Sequence, residues 1–209
     1  MTMTIKSLMV AVVLSSASAM AWAETASIQL RSFVKNVQAA TGEFSQQVFG
    51  AQGEPQATQD GEFAFHRQGQ FRWEVLRPYE QLVLSDGQFV YQYDPDLMQV
   101  TQRGVDDAIG TSPAAILFGS RRIDDAFNLT DLADRDGMQW LRAQPRTSDA
   151  GFEYVDIGFK DNLPAKLELR DTFGQTTRIS LKTLQQQENI AAERFHFEVP
   201  AGVDLVRMP

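Results

Sequence analysis

Apolar and polar residues alternate with a period of two along most of this chain, and that pattern restricts it to β-sheet. In "FRWEVLRPYEQLVLSDGQFVYQYDP", Phe71, Trp73 and Val75 alternate with Arg72 and Glu74, and Phe89, Tyr91 and Tyr93 alternate with Val90 and Gln92. The pattern predicts strands over Phe44 to Phe49, Gly61 to Arg67, Phe71 to Leu76, Gln81 to Leu84, Gln88 to Tyr93 and Met98 to Gln102. Ser85-Asp86-Gly87 and Asp94-Pro95-Asp96 are tight-turn material between them. Strands joined so closely must be antiparallel.

Further strands follow at Gln139 to Ala143, Glu153 to Phe159, Ala165 to Arg170, Thr177 to Leu181 and Arg194 to Val199. The stretch "AKLELRDTFGQTTRISL" puts Ala165, Leu167 and Leu169 on one face and Lys166, Glu168 and Arg170 on the other, with Gly174 at the bend.

Two segments break the period. Ile28, Leu30, Phe33, Val34 and Val37 fall at helical spacing and predict an opening helix that stops near Gly42. Ser112 with Pro113 at the first helical position starts a second, short helix through Phe118, and Gly119 stops it. That helix is mostly apolar, so it must press on an apolar surface, and the concave side of the sheet is the large candidate.

The expected architecture is therefore mainly β (α+β). About ten or eleven strands in one antiparallel sheet are too many to seal by themselves, since a closed barrel of about eight leaves just enough room for side chains to fill, and a sheet split into a sandwich with a solid core is the alternative. The two helices would lid the opening, leaving an apolar cavity that the rings of Phe71 and Trp73 face. Lys6, the apolar run from Leu8 to Leu14 and the closing Ala21-Trp22-Ala23 read as a secretory signal over residues 1–23. Residues 24–209 then form one domain, and nothing resembling a linker or repeat divides them.

Composition excludes several functions. With no cysteine, neither a disulfide framework nor a thiolate metal site can form, and an N-terminal cysteine for lipid attachment is missing. A net charge of −8 argues against nucleic acid or an anionic membrane as partner. No phosphate-binding or dinucleotide glycine motif and no nucleophile elbow occurs, so neither a cofactor nor catalysis is expected. His66 and His196 sit among strand aromatics, and Asp106-Asp107 and Asp124-Asp125 lack the alternating ligand spacing of a calcium loop.

Several segments together resemble one family: "FRWEVLRPYEQLVLSDGQFVYQYDPDLMQVT", "SPAAILFG", "LPAKLELRDTFGQTTRISL" and "FHFEVPAGVDLV" are similar, in this order, to the periplasmic outer-membrane lipoprotein carriers of the LolA family. The resemblance implies an unclosed antiparallel β-barrel of about ten or eleven strands, lidded by helices, that serves as a monomeric carrier of acylated lipoproteins, loading from an ATP-driven inner-membrane release complex and unloading to an outer-membrane receptor. It further implies that Arg67 in "FHRQGQFRW" latches the lid through its carbonyls, and that Phe71, Trp73 and Leu117 match cavity and lid positions. Val34, Val37, Leu84 and Ile116 complete the expected lipid-binding set. Ala114 and Ala115 stand where relatives are bulkier, which implies a looser closure. A carrier of free lipid or glycolipid is the alternative that the same hollow would serve.

Overall fold

The computed structural model describes residues 24–67, 69–105, 117–118, 123–147 and 151–208. The expected signal over 1–23, the acid pair Asp106-Asp107 and the lid positions Ser112, Pro113, Ala114, Ala115, Ile116 and Gly119 lie outside the described residues.

The chain opens with α1 (Ala26–Asn36). Six strands follow in sequence: β1 (Ala39–Phe49), β2 (Pro55–His66), β3 (Gln70–Arg77), β4 (Gln81–Asp86), β5 (Phe89–Asp94) and β6 (Gln99–Gly104). After the four-residue α2 (Ile123–Ala126) come β7 (Phe127–Arg135), β8 (Met138–Pro145), β9 (Phe152–Lys160), β10 (Leu163–Asp171) and β11 (Thr176–Gln186). A 3-10 helix (Ala192–Phe195) and β12 (Asp204–Arg207) end it.

All twelve strands form one sheet, ordered β12-β6-β5-β4-β3-β2-β1-β11-β10-β9-β8-β7. Every pairing is antiparallel except β12 with β6, which is parallel. The sheet curls without closing. Thr101 on β6 and Leu169 on β10 line the same cleft although six strands lie between them in the order. α1 crosses this concave side and packs on β7 to β10.

Turn chemistry explains the tight connections. The Asp86 carboxylate accepts from the backbone N–H groups of Gln88 and Phe89, each at 2.8 Å, and Gly87 takes a φ of 98° that favours glycine. Asp94 does the same for Asp96 and Leu97.

Four expectations are corrected. The opening helix ends at Asn36, and strand β1 begins at Ala39 rather than after Gly42, because Ala39 and Ala40 already pair with His66 and Phe65. Arg194 to Val199 is no strand; a 3-10 turn there packs Phe195 onto the convex side of β3 and β4. Strands β7 and β12 are additional, so the sheet has twelve strands where ten or eleven were expected. Both are edge strands, whose outer sides need no partner, and their mixed patterns carry little periodicity.

Candidate functional site

The concave face of β1 to β3 is built from rings. Register places Gly42 opposite Phe63, Ala40 opposite Phe65, Phe44 opposite Gly61, Phe63 opposite Trp73 and Phe65 opposite Phe71, so these side chains share one face. The glycines are the means of stacking them. A Cβ on Gly42 would meet the Phe63 ring at 2.5 Å, and one on Gly61 would meet the Phe44 ring at 2.6 Å. Bare backbone under a ring lets it lie flat against the neighbouring strand. Phe44 then stacks on Trp73 with centroids 3.7 Å apart.

Onto this wall comes Phe118, fully buried and helical in backbone. Its ring stacks on Phe65 at 4.5 Å and on Phe63 at 5.3 Å, and lies 6.5 Å from Trp73. Leu117 beside it is also buried. Leu30 and Phe33 of α1 and Val37 just past its end join the same core, Val34 packs against it half-buried, and Phe33 meets Phe65 edge-on. Phe71 is therefore buried in the protein's own core here, while Trp73 packs on Phe44 and Phe63 and also borders open space beside them.

Arg67 follows the end of β2 at the seam between these parts. Its Nε donates to the Val37 carbonyl at 2.6 Å and its Nη1 to the Leu117 carbonyl at 2.9 Å. The guanidinium lies 5.0 Å and 5.1 Å from the Phe33 and Phe65 ring centroids, within cation–π range. Nη2 is buried, and among the described residues it has no partner. Burial pulls the Arg67 guanidinium down to about 10. A cation held by two carbonyls and two ring faces, with one donor unused and no ion pair among the described residues, ties the end of α1 and Leu117 to the sheet. Such a tie is strong in geometry and open to competition.

Beside the rings the concave face is open. A cleft of about 230 Å³ is lined by Trp73, Val75, Val83, Val90 and Leu169 and by Gln46, Gln81, Gln92, Thr101, Arg103 and Thr177. Pockets that bury small ligands commonly run to roughly 300–1,000 Å³, so an acyl chain needs more room than this. The room adjacent to it is what Phe118 fills.

Of the expected residues, the fold brings together Arg67, Phe71, Trp73, Val34, Val37 and Leu117. It does not bring Leu84 to them. Leu84 is fully buried, but it pairs with Arg72 and Tyr91 on the convex face, while Val83 beside it pairs with Trp73 and takes the concave position. Leu82, Val83 and Leu84 are all apolar, so periodicity alone could not choose the face. Phe44, Phe63, Phe65 and Phe118 belong to the wall as well. The signal for Phe44, Phe63 and Phe65 was the same alternation, with Gly61 and Gly42 opposite the first two, whereas Phe118, helical in backbone, carried no such signal.

Among the described residues no His, Asp and Glu cluster could hold a metal ion. Asp124 is ion-paired to Arg31 at 2.8 Å.

The family model described as outer membrane lipoprotein carrier protein LolA matches residues 35–198. The outer-membrane lipoprotein carrier protein of Bordetella avium is 58% identical over 195 residues, covering 93% of this chain and 93% of that protein. Its counterpart in Bordetella pertussis is 57% identical over 192 residues, covering 92% and 91%. Among solved structures, an uncharacterized conserved protein from Thermus thermophilus superposes with a TM-score of 0.52 at 13% identity, over 86% of this chain and 98% of that one. A LolA superfamily protein from Nitrosomonas europaea gives 0.50 at 8% identity, over 84% and 99%. These two likenesses concern the fold.

Proposed function

The chain belongs to the LolA family of outer-membrane lipoprotein carrier proteins, and from that premise we propose how its concave face carries them: Phe118 occupies the acyl-chain space until cargo displaces it. The protein is a lipoprotein carrier, and carriers of this family are periplasmic.

The energetic need for such a protein is plain. Burying one CH₂ is worth about 0.8 kcal/mol, so a lipoprotein with some tens of methylenes is destabilised by on the order of 30 kcal/mol in water. A cavity of matching apolarity makes withdrawal from a bilayer nearly balanced. Direction then comes from the supplier and from an acceptor that binds better.

In this reading the empty carrier is closed. Phe118 and Leu117 cover Phe63, Phe65, Phe71 and Trp73, and Arg67 holds the cover through the Val37 and Leu117 carbonyls. Incoming acyl chains replace the Phe118 ring on the same wall, the Arg67 bonds break, and their re-formation helps expel the cargo. The observation that carries this is the pairing of a ring-lined wall with a ring plug held by a polar tie. Residues 24–209 would be the working form after a signal is removed, loading at an ATP-driven inner-membrane release complex and delivering to an outer-membrane receptor.

The test is to incubate purified residues 24–209 with spheroplasts and follow newly made lipoproteins. The reading expects them in the soluble fraction, bound to this protein. Lipoproteins that stay in the membrane would contradict it.

A further inference from the structure

The two walls of the cleft differ in chemistry. The wall from β1 to β3 is aromatic, whereas β5 and β6 turn Gln92, Thr101 and Arg103 into the same space, with Gln92 paired to Thr101 and Val90 to Arg103. No carboxylate lines the cleft, and Arg103 is its sole charged side chain among the described residues.

The donors on this second wall are largely unused. Elsewhere in the cleft, Gln46 on β1 donates to Gln59 and Gln81 on β4 to the Asp94 carboxylate at 3.1 Å, so those amides are engaged. The Nε of Arg103 reaches only the Met208 thioether at 3.0 Å, a weak acceptor. Among the described residues no other hydrogen bond or ion pair engages Arg103, and none engages the side chains of Gln92 or Thr101. A guanidinium fork, a hydroxyl and an amide thus face a cleft whose other lining combines Trp73, Val75, Val83 and Leu169 with Gln46, Gln81 and Thr177.

We propose that this wall is the subsite for the polar head of the cargo's lipid, the ester and amide carbonyls that join its acyl chains to the acylated cysteine. The inference rests on the carrier reading. Acyl chains lying against the rings bring those carbonyls out of water at the same time, and carbonyls accept hydrogen bonds but cannot donate them. Left unpartnered, they would weaken binding; a donor wall with no carboxylate among the described residues meets that need. The two walls together orient the cargo, with acyl chains toward Phe63 and Phe65 and the acylated cysteine toward the β6 edge. A phospholipid phosphate offers the same acceptor chemistry, so the experiment must separate the two sources.

Mature protein, Arg103→Leu and Thr101→Val are titrated with three probes: a synthetic N-acyl-S-diacylglyceryl-cysteine peptide, an uncharged naphthylamine dye, and dispersed phosphatidylglycerol. Losing one such donor should weaken the lipopeptide about tenfold in each variant and leave the dye unchanged. Equal losses for peptide and dye mean a packing role and overturn the proposal. So does a loss confined to phosphatidylglycerol, or no loss at all. Failure of the unmutated protein to bind the lipopeptide removes the carrier reading itself, and the subsite with it.

Discussion

Around β2 to β5 each face of the sheet has its own cover. On the convex side Leu82 and Leu84 are buried, the 3-10 helix brings Phe195 onto β3 and β4, and the Phe197 ring lies 5.2 Å from Tyr91 and 5.9 Å from Tyr93. That cover continues directly into β12, which pairs along β6. On the concave side the cover is Phe118 with α1, tied by two hydrogen bonds from Arg67 and bordered by an open cleft. Both faces bury rings, yet one seal is continuous with the sheet and the other is a contact that can be exchanged. In the proposed function, stability and cargo binding fall to opposite sides of the same strands.

Mutations test this division, beginning with the largest effect. Phe195→Ala should destabilise by about 3–5 kcal/mol, as for a buried ring with no means of collapse, and chemical denaturation measures it. Cargo bound per folded molecule should stay constant. Phe118→Ala removes a ring just as buried, but the space it leaves joins a cleft that water and neighbouring rings can enter. Its cost should be nearer 2 kcal/mol, and uptake of an apolar dye should rise. Equal costs at the two positions would erase the distinction.

Arg67→Leu should change stability by less than about 1 kcal/mol, because a desolvated cation with no counter-charge among the described residues is exchanged for an apolar side chain. Transfer of bound lipoprotein to receptor-bearing membranes should nevertheless fall, since the polar tie that helps expel it is gone. Unchanged transfer would count against the tie.

The smallest effect is on pH dependence. Arg67 titrates at about 10 in the folded protein, below the ordinary arginine value, so the unfolded chain binds more protons between the two. Its contribution to stability is fully present above the ordinary value and lost as pH falls through about 10. Denaturation of the parent and Arg67→Leu at about pH 9 and about pH 11 should show the parent gaining relative to the variant as pH rises.

Much of this fold was legible because a two-residue period survives wherever one face is buried. Phe71 to Val75 and Leu167 to Leu169 follow it closely. It failed where both faces are apolar, as at Leu82 to Leu84, and at edges such as Asp204–Arg207, where a four-residue strand is set by parallel pairing to a distant partner. The Arg67 position was legible through family resemblance, but the plugging of the ring wall by Phe118 was not. Alternation says which way a side chain points and nothing about what fills the space before it.

The most direct test places a photo-crosslinking residue at Trp73 in one variant and at Leu84 in another, neighbours in the sheet on opposite faces. With both expressed in cells, lipoprotein adducts should form at position 73 and not at position 84. Adducts at 84 with none at 73 would contradict the assignment of cargo to the concave face.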